Sequence, residues 1–205
     1  MATVAEVRPS PIAGTWYQSN PEILARLVDG YMDNAVLPAL AGQPLAVVAP
    51  HAGHIYSGPV AGYAFATVRK LTPEVVAVIS PMHHAYPYPL ITTAHQAYGT
   101  PLGSIPVNQA LLHDLDRKLL HRLGFGLTPV ANDPEHSLEI ELPFLQRAIQ
   151  AAFTLLPVMV RSQRREVCQA LGETLAEILT GKNALLVAST DLSHFHNADL
   201  ATKLD

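Results

Sequence analysis

The residues of this chain that could do chemistry are its histidines, ten of them in 205 residues, several set beside prolines. Three groups stand out by placement. His51 and His54 lie in Pro50-His51-Ala52-Gly53-His54, His83 and His84 follow Pro81-Met82, and His194 shares the stretch Ser189-Thr190-Asp191-Leu192-Ser193-His194 with Asp191. Neutral imidazole is the commonest protein metal ligand, and two histidines plus one carboxylate or thiolate on one side of a divalent ion leave positions open for substrate and oxygen. A histidine poised near neutral pH is also the usual general acid or base. His194 is the better candidate for that role, whereas His196 reads as a solvated residue at a helix start.

The elements that must position these residues are apolar runs. Leu45 to Ala49, Val75 to Ile79 and Ala184 to Ala188 each read as a strand buried on both faces, and each delivers one histidine-bearing turn. Ligands of open α/β sheets bind in the crevice outside the carboxyl ends of the strands, so three such turns predict one shared site. Phe153 to Val160 is a further strand. Asn20-Pro21-Glu22 is a helix start, followed by Ile23, Leu24, Leu27, Val28 and Tyr31 on one face. Val60 to Arg69 reads as a crossover helix completing a βαβ unit, Val107 to Leu120 as a helix closed by Gly124, and Arg164 to Leu179 as an amphipathic helix. Leu90 to Ala94, after Tyr86-Pro87-Tyr88-Pro89, is expected to be an edge strand followed by loop through Gly103. Asp133-Pro134-Glu135-His136-Ser137 should be a turn leading into a helix over about 138–151, shortened or kinked by Pro143. Trp16 and Tyr17 read either as anchors of a surface arm or as site-lining residues.

Composition bounds the function classes. The 49% hydrophobic and 15% charged content suits a single domain with a large core, and a net charge of −4 without a basic tract gives no reason to expect nucleic acid. Cys168, the single cysteine, excludes an intrachain disulfide and fits a reducing, cytoplasmic compartment; it is most simply a packing residue of its helix. No signal-peptide pattern opens the chain and no apolar run suggests a membrane span. Zinc-protease motifs, a cysteine pair, a Gly-x-Ser-x-Gly elbow and a Gly-x-Gly-x-x-Gly fingerprint are all absent from the sequence.

Six motifs in order carry a family resemblance: Ala13-Gly14-Thr15-Trp16-Tyr17, Pro50-His51-Ala52-Gly53 with Tyr56-Ser57-Gly58, Pro81-Met82-His83-His84, Thr100-Pro101-Leu102-Gly103, Glu135-His136-Ser137-Leu138-Glu139 with Leu142-Pro143, and Ser189-Thr190-Asp191-Leu192-Ser193-His194. The chain resembles the Memo-like family, also called the AmmeMemoRadiSam system protein B family, which is related in fold to the class III extradiol, LigB-like non-haem iron dioxygenases. The resemblance implies an α/β fold with a central, largely parallel or mixed sheet flanked by helices. It implies a metal site, iron(II) first with copper or zinc as alternatives, held by His51 and His83. His194, Asp191 and His136 would carry chemistry in the cleft, and Trp16 and His84 would meet the substrate. The implied function is a possible oxygen-dependent oxidoreductase acting on a small-molecule or peptide ligand; the alternative is a non-catalytic binding protein using the same cleft.

Two departures from the family pattern are mild, His54 and Met82. A third concerns the end of the chain: Memo-like proteins take a third metal ligand, typically a cysteine beside a glycine, from a segment later than the Asp-Leu-Ser-His turn. The expectation is therefore one domain over 1–205, C-terminally truncated relative to the family, with Asp191 as the nearby acid that could replace the missing ligand. Weak metal occupancy and homo-oligomers or marginal stability are expected with it.

Overall fold

A computed structural model of the chain describes residues 5–205. Val75 to Ile79 is β-branched at four of five positions, which suits a pleated surface packed on both sides, and it forms β3 (Val75–Pro81). β3 lies inside a six-stranded sheet beside β2 (Ala46–Ala49), β4 (Leu90–Thr93), β7 (Thr128–Val130), β8 (Thr154–Val160) and β9 (Ala184–Ser189). The order is β2-β9-β3-β8-β4-β7. The first four of these strands run parallel; β4 is antiparallel to β8 and parallel to β7. A second, three-stranded sheet joins β1 (Val7–Arg8), β5 (Ala97–Thr100) and β6 (Gly103–Pro106) in the order β1-β5-β6. This is the expected α/β class: a mixed, largely parallel sheet flanked by helices.

The helices are α1 (Pro21–Asp33), α2 (His54–Ala66), α3 (Gln109–Leu123), α4 (Leu142–Ala148), α5 (Arg165–Leu179) and α6 (Ala198–Leu204). α1 starts where its sequence says it should: the Asn20 side chain accepts the Ile23 N–H and Pro21 takes a position whose N–H would be unpaired anyway. Its buried stripe is Leu24, Val28 and Met32, narrower than the apolar pattern suggests, since Ile23 and Leu27 are largely exposed. α3 ends at Gly124, whose φ of +79° lets its N–H cap the Leu120 carbonyl.

Several local expectations are corrected. α2 begins at His54, not Val60, and runs through Pro59; Pro59 and Ile55 both lie on the exposed side, so the helix loses one hydrogen bond there without burying a large side chain. Leu90 to Thr93 is not an edge strand, because β7 pairs beyond it, and the stretch to Gly103 holds β5 and the turn of a hairpin. Conversely β2 is an outer strand with alternating burial, so it is covered on one face only. The expected helix over 138–151 is a buried 3-10 turn (Glu139–Glu141) followed by the short α4, which packs against α1 and α2.

α1 and α2 pack closely because α2 has glycine where Tyr31 approaches. A Cβ at Gly62 would lie 2.5 Å from the Tyr31 carbonyl oxygen, an approach that only backbone movement could relieve. Gly172 in α5 has nothing within 4 Å of the same position. The two glycines should therefore respond oppositely to alanine. Gly62→Ala is expected to destabilise by about 1–3 kcal/mol through overpacking, and Gly172→Ala to stabilise by about 0.5–1 kcal/mol through helix propensity. Chemical denaturation of the two variants reads both signs.

Candidate metal centre

Parallel strands β2, β9 and β3 are neighbours, so their carboxyl ends lie side by side, and each releases a polar residue two positions later: His51, Asp191 and His83. The loop preceding the 3-10 turn brings His136 across this end of the sheet. One nitrogen of each of His51, His83 and His136 lies within 4.8 Å of the other two, close enough for small side-chain shifts to bring all three onto one ion. Their rings stand close: His83 and His136 are stacked with centroids 4.7 Å apart, and His51 meets both edge-on at 5.3 and 5.7 Å. Trp16 stacks on His136 at 4.0 Å.

The neighbours of the rings decide which nitrogens are free. Ser189 Oγ donates to the Ser137 carbonyl (2.6 Å), so toward His51 Nδ1 (2.9 Å) it can only accept. His51 therefore carries its proton on Nδ1 and keeps the Nε2 lone pair available. Glu135 does the same for His83, accepting from its Nδ1 at 2.9 Å. A carboxylate or hydroxyl behind each ligating imidazole is what fixes ring orientation and raises basicity in metal sites. Glu135 also accepts the main-chain N–H groups of His83, His136 and Ser137. Burial pulls its carboxyl upward, but the Ser137 and His83 amides and the His83 ring outweigh that and hold it near 2.

Two of the three imidazoles, His51 and His83, thus carry their proton on Nδ1 and leave Nε2 unprotonated. A family model described as Memo-like protein matches residues 8–205. The chain belongs to the Memo-like family. Relatives include MEMO1 family proteins of Aquifex aeolicus, 34% identical over 97% of this chain and 72% of the relative, and of Methanopyrus kandleri, 32% identical over 97% and 72%. A MEMO1 family protein of Thermotoga neapolitana is 31% identical over 97% and 74%.

In this Memo-like chain the surroundings disfavour the charged forms of His51 and His136. Burial first, then the neighbouring His83 and His51, push the His136 imidazolium pKa down to about 4 against the pull of Glu135 and Asp191. Burial also lowers His51, opposed by Asp191. Neutral imidazoles are the form a metal takes up. The donor set, three imidazole nitrogens, is of a kind that divalent ions take.

The other expected site residues are distributed unevenly. Asp191 is tied down by the His51 N–H (2.7 Å to Oδ1), with Oδ2 3.7 Å from His51 Nε2 at the rim of the triad. His194 is exposed and lines the same cleft; its Nδ1 donates to the Leu192 carbonyl at 2.9 Å. Trp16 lines the cleft as well, while Tyr17 is the buried anchor, donating to Glu139 at 2.7 Å. His84 is exposed, at a bend after β3, and is not among the residues that line the cleft. His54 is also not a site residue: it is buried behind the cleft, donating from Nε2 to the Ile140 carbonyl at 3.0 Å against Phe144. The cleft encloses about 1230 Å³, with walls that include Ile55, Tyr56, Val60, Leu192 and Phe195.

Two features go beyond the motifs, which mark His136 for the cleft but not as a ligand. His136 stands in the triad, so a third nitrogen donor comes from within the described residues. Glu141 is fully buried, and neither of its oxygens has a hydrogen-bond partner. Ser189 lies near enough to favour its charged form, but the Ser189 hydrogen is committed to Ser137. Burial, with Asp191 adding to it, raises the Glu141 carboxyl to about 8, so the group is a neutral acid at pH 7. Among the described residues no helix is long and apolar enough to cross a membrane.

Proposed function

We propose that this Memo-like protein holds a divalent metal, iron(II) first, on His51, His83 and His136, and uses it for oxygen-dependent oxidation of a ligand in the adjoining cleft. The observation that carries the reading is the convergence of three imidazoles, two of which, His51 and His83, are held through Nδ1 by Ser189 and Glu135. When bound, such a metal supplies Lewis acidity and a redox couple while three protein donors leave positions open. Imidazole suits copper and zinc too; the Asp191 carboxylate at the rim adds an oxygen donor that favours iron(II) over a softer ion.

The chain's own groups divide the remaining work. Trp16 braces His136 from the cleft side, and the apolar walls exclude water from the ligand. His194, with Nδ1 committed to its own turn, presents Nε2 as the atom that takes a proton from a ligand hydroxyl and returns it. Asp191, positioned by the His51 amide, attracts the positive charge that develops beside the triad. The single cysteine, exposed and unpaired, supports a cytoplasmic setting.

A second reading, a binding protein without chemistry, is favoured by one observation: the cleft volume of about 1230 Å³ exceeds the roughly 300–1,000 Å³ typical of small-ligand pockets and would admit a peptide. One experiment separates the two. Protein loaded anaerobically with iron(II) is exposed to oxygen with a panel of phenolic and peptide ligands, and oxygen uptake is followed for wild type and His194→Ala. Ligand-dependent uptake that falls by about 10²–10⁴-fold in the variant, with metal retained, supports catalysis with His194 as acid/base. Tight ligand binding without uptake assigns the cleft to recognition alone, and loss of all metal in His194→Ala would make that residue a ligand.

A further inference from the structure

We infer that Arg8, far from the triad in sequence, is the positioning residue that holds His136 and Glu135 in register with His83; the inference rests on the metal reading above. Arg8 ends β1, which pairs with β5 through Arg8 and Tyr98, and its side chain is only 1% exposed. A guanidinium so buried must have every donor direction answered, and here the answers come almost wholly from one loop. Nε and Nη2 bind the two carboxylate oxygens of Asp133 at 3.0 and 2.9 Å, and Nη2 also donates to the main-chain carbonyls of Asp133 (3.0 Å) and Glu135 (2.9 Å). Nη1 reaches Glu139 at 2.5 Å, and the guanidinium carbon lies 4.9 Å from the centre of the Tyr98 ring.

The consequence passes along a chain of named bonds. Asp133 Oδ1, held by Arg8, accepts the Glu135 N–H at 3.1 Å, so both polar main-chain groups of Glu135 are fixed from this one cluster. The Glu135 carboxylate then binds the His83 ring, the His83 amide and the His136 amide. Arg8 thus sets where Glu135 stands, and Glu135 sets the separation and rotation of His83 and His136. A planar fork can grip a carboxylate and two carbonyls at fixed angles, whereas an ammonium is a point charge that cannot. Removing the fork would let residues 133–136 drift, and supporting partners of metal ligands are worth about 10–100-fold in affinity.

The test uses cobalt(II) as probe ion on three variants. Arg8→Lys keeps the charge and loses the fork. Asp133→Asn keeps Arg8 and weakens only its grip on the loop. Tyr17→Phe removes a hydrogen bond to Glu139 in the same buried network but touches nothing between 133 and 136. Cobalt(II) affinity should fall about 10–100-fold in Arg8→Lys and Asp133→Asn, with a changed visible d–d spectrum. Tyr17→Phe should lower Tm yet leave the affinity close to that of wild type, because residues 133–136 keep their hydrogen bonds. Folded Arg8→Lys and Asp133→Asn proteins that bind cobalt(II) like wild type would overturn the clamp. Equal weakening in Tyr17→Phe would overturn it too, by showing that general loss of stability is what is being read. Wild type that takes up no cobalt(II) would instead overturn the metal reading itself.

Discussion

His136→Ala is expected to abolish tight iron(II) binding as completely as His51→Ala and His83→Ala do. Each variant removes one of three nitrogens that lie within 4.8 Å of one another, leaving two imidazoles and a rim carboxylate. The loss should exceed the roughly 10–100-fold that removal of a merely supporting partner costs. His84→Ala and His196→Ala, both at exposed positions clear of the triad, should bind as wild type does. Calorimetric titration of the five anaerobic variants provides the comparison. A His136→Ala protein with wild-type affinity would return the site to two histidines.

The second large effect is a dependence of stability on pH that runs opposite to that of ordinary carboxylates. Glu141 titrates near 8 in the folded chain because burial disfavours its charge, against about 4.5 when solvated. Between these values the folded state holds a proton that the unfolded state has released, so stability falls as pH rises through the window and levels off above 8. At 1.36 kcal/mol per unit the full loss amounts to roughly 3–5 kcal/mol, of which about 2 kcal/mol falls between pH 6.5 and 8.5. Glu135, held near 2, and His136, held near 4, act in the other direction and at lower pH, since the folded state binds fewer protons at both. Denaturation of metal-free wild type and Glu141→Gln across pH 6.5–8.5 isolates the effect: the amide cannot ionise, so its curve should lack the alkaline decline. Parallel curves would mean that Glu141 finds a partner or titrates normally.

Much of this architecture is legible in the chain because it is written in local chemistry. The β-branched run at Val75, the Asn20-Pro21 helix start and the Gly124 cap each act through neighbours a few residues away. His51 and His83 are legible as partners because both follow strands of one parallel sheet. His136 arrives on a loop, and no periodicity says which way a loop side chain turns, so its motif marks it for the cleft without making it a nitrogen donor. Arg8 and Glu141 were beyond local reading for a different reason. A charged residue is expected at the surface unless partners are known, and the partners of Arg8 lie 125 to 131 positions away. Glu139 and Glu141 look like the solvated side of a helix until the chain is seen to turn there into a buried 3-10 segment. His54 and His84 show that a histidine shares the sequence context of its neighbour but not its surroundings: His54 is buried against Ile140, and His84 is exposed.

The claim at the centre of this account, three imidazoles from His51, His83 and His136 around a single ion, is tested most directly by X-ray absorption of the iron(II)-loaded protein, which counts histidine ligands. One iron per chain with three imidazole scatterers is expected, reduced to two in His136→Ala. A spectrum of two imidazoles in wild type, unchanged in His136→Ala, would contradict it.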